Sequence, residues 1–137
     1  MIGQIQIVNC DNPNEAKENI LSSKEMLIKK CNEVDPILVK FGGGCRDIEV
    51  RIIDTESGAM VIVHLLVDCR DAMGANAVNT MAETIAPLLE TISNGTSILR
   101  IISNLAVHRL ARINAIFTPE EMSDKGNDEV RGREIID

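Results

Sequence analysis

The chain has 137 residues, a formal net charge of −7, 45% apolar and 26% charged side chains, which is the composition of one globular domain rather than a disordered or membrane-embedded chain. The acidic balance and the lack of any Lys/Arg stripe exclude DNA and RNA as main partners, since a nucleic-acid binder must displace counterions from phosphates. Two Phe with no Tyr or Trp leave the core to aliphatic residues and argue against stacking along nucleic-acid bases.

Ile2–Val8 alternates Ile5 and Ile7 with Gln4 and Gln6, the two-residue period of a half-buried first strand. Asp11, Asn12 and Pro13 supply turn and cap chemistry for a following amphipathic helix carrying Ala16, Ile20, Met26, Leu27 and Cys31, with a break marked at Ser22 and Ser23. Asp35 and Pro36 precede a short apolar run at residues 37–39. Gly42, Gly43 and Gly44 then predict a turn or a bulged strand start. Ile48, Val50 and Ile52 alternate with Glu49 and Arg51, and a turn at Ser57 and Gly58 leads into the apolar stretch of residues 60–67, predicting an antiparallel hairpin.

From Asn76, the spacing of Val78, Met81, Ala82, Ile85, Leu88, Leu89 and Ile92 predicts a second amphipathic helix stopped at Gly95, with Pro87 kinking or dividing it. A last strand is predicted at residues 98–103, a turn or extension at 104–112 and a further extended piece at 115–117. The order strand, helix, hairpin, helix, strand is that of a split βαβ unit, so the fold expected is an α+β, ferredoxin-like sandwich with two helices on one face of an antiparallel sheet. Residues 1–118 make up this domain, and the charged, weakly patterned residues 119–137 read as a linker or truncated end.

No apolar run approaches the roughly 20 residues of a membrane-spanning helix, and no basic-then-apolar leader opens the chain, so no membrane partner and a cytoplasmic location are expected. Cys10, Cys31, Cys45 and Cys69 show no CxxC spacing. They predict reduced, mostly buried thiols and no metal site.

The chemistry concentrates in Asp71, Ala72, Met73, Gly74, Ala75 and Asn76, between the most apolar strand and the strongest helix. A helix starting there presents unpaired amides and a positive dipole end to a pyrophosphate, with Gly74 allowing close approach and the small Ala72 and Ala75 keeping it open. The plainer alternative is that Asp71 and Asn76 cap the helix and Gly74 serves a tight turn. The run is not the GxGxxG of a doubly wound nucleotide-binding fold, whose repeated βαβ units are also missing. Elsewhere, His64 reads as a core histidine. His108 and Arg109 read as water-facing, and Glu83 and Glu90 as structural.

Residues 71–83, Asp-Ala-Met-Gly-Ala-Asn-Ala-Val-Asn-Thr-Met-Ala-Glu, resemble the cofactor-binding signature of hydroxymethylglutaryl-coenzyme A reductases. Residues 41–50, Phe-Gly-Gly-Gly-Cys-Arg-Asp-Ile-Glu-Val, and residues 99–106, Leu-Arg-Ile-Ile-Ser-Asn-Leu-Ala, resemble that family's second, bacterial and archaeal class. The resemblance implies a reductase interconverting hydroxymethylglutaryl-coenzyme A and mevalonate with two nicotinamide cofactors per cycle, of which this chain is the small, dinucleotide-binding domain. It places Asp71, Met73, Gly74 and Asn76 in the dinucleotide turn and Asn104 near the nicotinamide.

The same resemblance sets Asp35 near the adenosine ribose, where a carboxylate accepts from the 2′-hydroxyl and repels a 2′-phosphate, favouring NAD with NADP possible. That Asp35 simply ends a helix ahead of Pro36 is the evenly weighted plain reading. Arg46 reads either as a phosphate contact or as a solvated residue beside Asp47. The family's catalytic glutamate, lysine, aspartate and histidine motifs are not found here, so no catalytic residue is expected in this chain and no turnover by it alone. A large domain is expected to bind the coenzyme A substrate, with a homodimeric parent, and Met1 and the acidic tail suit a separately expressed fragment. The reading from another functional class is a ferredoxin-like regulatory or assembly module without catalysis.

Overall fold

The computed structural model describes residues 1–118 and residue 121. Eight elements follow in chain order: β1 (Ile2–Val8), α1 (Pro13–Ser22), α2 (Lys24–Val34), α3 (Pro36–Lys40), β2 (Gly44–Thr55), β3 (Gly58–Asp68), α4 (Ala75–Ser93) and β4 (Thr96–Ile102). The four strands form one sheet in the order β2-β3-β1-β4, and every neighbouring pair is antiparallel. This is the ferredoxin-like arrangement the periodicity predicts.

The two-residue alternation decides which side chains meet the helices. Ile5 and Ile7 of β1, Ile48 of β2 and Val61, Val63 and Leu65 of β3 are almost fully buried. They pack against Ala16, Ile20, Leu27 and Cys31 of the first helical layer and Val78, Met81, Ile85 and Leu89 of α4. Each such aliphatic side chain contributes about 1.5–3 kcal/mol through its burial, so an aliphatic core suffices without aromatics. All four cysteines are free thiols. No helix of the described residues is long and apolar enough to cross a membrane.

The first helix divides at Ser23, which closes α1 through its amide on the carbonyls of Asn19 and Ile20 and starts α2. Residues 37–39, read as an apolar run, form the short helix α3, because Asp35 accepts the Leu38 amide at 2.8 Å and Pro36 occupies the first turn. The β2 start is bulged between Cys45 and Asp47, as the glycines predict. Pro87 does not divide α4, which runs unbroken to Ser93. Asn94 in the left-handed conformation closes it, one residue before the predicted stop. Residues 115–117 add no strand. The expected linker at 119–137 lies, except for Glu121, outside the described residues.

On the other sheet face, His64 is 2% exposed. Its Nε2–H donates to Gln4 Oε1 at 3.0 Å, and Nδ1 accepts from Arg51 Nη2 at 2.9 Å, so a histidine in an apolar strand is satisfied by its cross-strand neighbours. Burial and the Arg51 charge hold this imidazole below its ordinary pKa. Glu90 and Glu83 of α4 fasten β4. Glu90 Oε1 accepts the Ser97 amide at 2.8 Å and its hydroxyl at 2.7 Å, and Glu83 pairs with Arg100 at 3.0 Å.

Antiparallel pairing brings the start of β2, the end of β3 and the end of β4 to one end of the sheet, through the partners Gly44 and Asp68, and Gly3 and Ile102. The hairpin turn, Asn9 and Asn94 lie at the opposite end.

Candidate functional site

At the first of these ends the chain leaves β3 by a tight turn. Arg70 takes a left-handed conformation at φ 50, held by its amide on Asp68 Oδ1 at 3.0 Å, and the Ala72 amide closes the turn on the Cys69 carbonyl at 3.0 Å. A non-glycine residue in this region costs about 1–3 kcal/mol and persists where its surroundings fix it. Gly74, at φ +79, is the N-cap of α4, with no side chain capping the helix and no acidic residue in its first turn. Neither Asp71 nor Asn76 therefore performs the capping role that the plainer reading gave them. Asp71, Ala72, Met73 and Asn76 are exposed, Met73 at 79%. The first amides of a 19-residue helix are thus open at its positive end, which suits an anion.

The glycine also answers to packing behind the turn. A Cβ on Gly74 would stand 2.4 Å from Cys69 Sγ and 2.7 Å from Cys69 Cβ. Packing behind the turn and the left-handed backbone at φ +79 both require a glycine at this position.

Asp35 lies across from this turn. Its half-buried carboxylate caps α3, and it lines, together with Ile37, Leu38, Phe41, Cys69, Arg70, Asp71 and Ala72, a pocket of about 480 Å³. That size suits a small-molecule group. Asp35 also ends α2 ahead of Pro36, as the plain reading expects, and does so while lining the pocket. Asn104, exposed after β4, lines an adjoining cleft with Ser103, Leu105, His108 and Arg109. A third cleft joins the two, sharing Cys69 and Arg70 with the first and His108 and Arg109 with the second. Asp35, the turn and Asn104 so mark successive stations along one run of surface.

Arg46 is half exposed, as the solvated reading expects. It donates to the Gly42 carbonyl and pairs with Asp68 at 3.4 Å. Arg70 donates to the same carbonyl through Nε at 2.8 Å and also through Nη2. The Arg70 amide, then the Arg70 and Arg46 guanidinium groups, hold the Asp68 carboxyl below its ordinary value. Burial raises the Cys69 thiol, so it stays protonated behind the turn. His108 and Arg109 are exposed, as predicted, yet they line the central cleft. Arg70, Phe41 and Ile37 are site residues that the sequence reading missed. The available signal was two large apolar residues spaced i, i+4 directly after Asp35.

Comparison with known proteins fits this arrangement. The family model of hydroxymethylglutaryl-coenzyme A reductase matches residues 1–135. The 3-hydroxy-3-methylglutaryl-coenzyme A reductase of Archaeoglobus fulgidus is 55% identical over all 137 residues, which span 30% of its length. A solved structure of the Streptococcus pneumoniae reductase superposes with a TM-score of 0.76 at 42% identity, covering 78% of this chain and 25% of that one. A second, described as the class II enzyme bound to NADPH in open conformations, gives 0.73 at 42% identity over 76% of this chain and 25% of that one. With fold, motif order and relatives in agreement, the chain belongs to the hydroxymethylglutaryl-coenzyme A reductase family and corresponds to a part of such an enzyme.

Proposed function

We propose that this chain is the dinucleotide-binding domain of a reductase that interconverts hydroxymethylglutaryl-coenzyme A and mevalonate. One observation carries the reading: Asp35 and the Asp71–Ala72 turn, distant in sequence, share one pocket beside the uncapped N-terminus of α4. The pyrophosphate sits against the open α4 amides, with Met73, Gly74, Ala75 and Asn76 forming the turn around it. The adenosine side lies toward Asp35 and the nicotinamide side toward Asn104. Asp35 favours NAD over NADP, because a fixed carboxylate accepts from a 2′-hydroxyl and repels a 2′-phosphate. The NADPH bound to the S. pneumoniae relative supports a nicotinamide dinucleotide as the ligand class.

The cofactor supplies hydride, and the chain's residues orient it. No catalytic residue is assigned here. A large domain of the same enzyme holds the coenzyme A substrate and the proton-transfer groups, so this chain alone does not turn over. A homodimeric, cytoplasmic parent completes the proposal, with residues 1–118 as the domain and 119–137 as its return toward the large one.

Titration with NADH and NADPH, followed by backbone amide NMR, tests the reading. Shifts confined to residues 71–79, Asp35 and Asn104, larger with NADH, are the expected result. Equal shifts with both cofactors refute the preference, and shifts elsewhere refute the placement.

A further inference from the structure

Beside Asp35 stand two of the most exposed apolar side chains of the described residues, Ile37 at 69% and Phe41 at 73%. They lie four residues apart, so they face the same way at the end of α3. They also form a wall of the 480 Å³ pocket. Phe41 is one of only two aromatic residues in the chain. Its exposure is not that of a loose loop: its amide bonds to the Ile37 carbonyl at 3.1 Å, the Gly42 amide to Val39 at 2.9 Å and the Gly43 amide to Leu38 at 2.9 Å. The next carbonyl, that of Gly42, is clamped by Arg46 and Arg70. The backbone of an exposed aromatic ring is thus fixed in advance, which lowers the entropy lost when a ligand orders against it.

We propose that Phe41 is the stacking platform for the adenine ring, with Ile37 extending the apolar wall beneath it. This rests on the dinucleotide reading above and deepens it. A flat purine offers a π-face to an aromatic side chain whatever its edge groups, whereas ribose and phosphates seek the polar groups found further along, at Asp35 and the turn. The pocket lies at the Asp35 end of the run, away from Asn104, so the base it takes is the adenine and not the nicotinamide. The scarcity of aromatics that argues against a nucleic-acid surface is no obstacle here, since one ring suffices for one base.

Calorimetric titrations of the intact protein with NADH, ADP-ribose and nicotinamide mononucleotide, on the wild type, Phe41→Ala, Phe41→Leu and Phe41→Trp, test the platform. Phe41→Ala is expected to weaken ADP-ribose and NADH by about tenfold or more and to leave the mononucleotide unchanged. Phe41→Trp restores binding, and Phe41→Leu restores it only in part. Unchanged ADP-ribose affinity in Phe41→Ala overturns the proposal, as does equal loss for the mononucleotide, which marks a general structural role. Wild-type protein that binds none of the three removes the dinucleotide reading itself, and the platform with it. Wild-type binding with an indifferent Phe41 removes the platform alone.

Discussion

The guanidinium of Arg70 reaches across the sheet end to the carbonyl of Gly42, donating through Nε at 2.8 Å, while its own backbone is held left-handed at φ 50. A strained residue thereby ties the glycine turn after α3 to the turn before α4. Arg70→Ala removes the tie and leaves the backbone strain. The group is half exposed, so the expected loss is modest, about 1 kcal/mol in urea unfolding. The amides of Gly42 and Gly43 should exchange hydrogen markedly faster than in the wild type. Unaltered exchange at these two sites would show that the tie does not hold the turn.

Asp35 caps α3 and, in the proposed function, also selects the cofactor, and one substitution separates the two. Asn caps a helix as well as Asp does, so Asp35→Asn should keep stability within about 0.5 kcal/mol while removing the charge. In the full-length enzyme the ratio of kcat/KM for NAD to that for NADP should fall by about tenfold. A constant ratio denies the carboxylate any role in cofactor choice.

At Gly74 an added methyl meets Cys69 Sγ at 2.4 Å on a backbone already at φ +79. Gly74→Ala should cost about 2–4 kcal/mol from clash and left-handed strain together. Gly58, at φ +111 with nothing within 4 Å, isolates the backbone part. Denaturant midpoints for the two variants should therefore differ clearly, with Gly74→Ala the lower. Equal midpoints would remove Cys69 packing as the reason for the glycine.

His64 sets a pH dependence of stability. Its folded pKa lies below the ordinary 6.5, chiefly through burial and then through Arg51. As pH falls below 6.5 the unfolded chain takes up a proton that the folded ring refuses, so stability declines through that window. His64→Gln should flatten the melting-temperature profile between about pH 7 and 5, a range above most carboxylate titrations. A wild-type profile already flat there would show that the imidazole titrates normally.

Much of the architecture is legible because local pattern and tertiary packing agree. The alternation in β1, the hairpin, the break at Ser23 and the 3.6-residue spacing of α4 each follow from which side chains must reach one core. The reading fails where a local signal is overridden or a partner is remote. Pro87 forfeits one backbone bond, yet the buried face formed by Met81, Ile85 and Leu89 carries α4 through it. Residues 36–40 become a helix because one carboxylate caps them, a decision made by a single hydrogen bond rather than by periodicity. In the candidate site, the turn stands out by its place between strand and helix, and Asp35 is named by the family resemblance. The clamp of Arg46 and Arg70 was not legible, because both guanidinium groups converge on a carbonyl whose position only the folded sheet fixes.

The strand order also separates the end that carries the candidate site from the end that carries the hairpin turn. The segments bearing Asp35, Arg70 and Asn104 gather where β2 starts and β3 and β4 finish, and the exposed residues Glu56 and Ser57 turn the hairpin at the other pole. That distant tip serves as a handle. A dye, a tether or a short inserted peptide attached there leaves the clefts around Asp35, Arg70 and Asn104 untouched, because the full length of β2 and β3 stands between them.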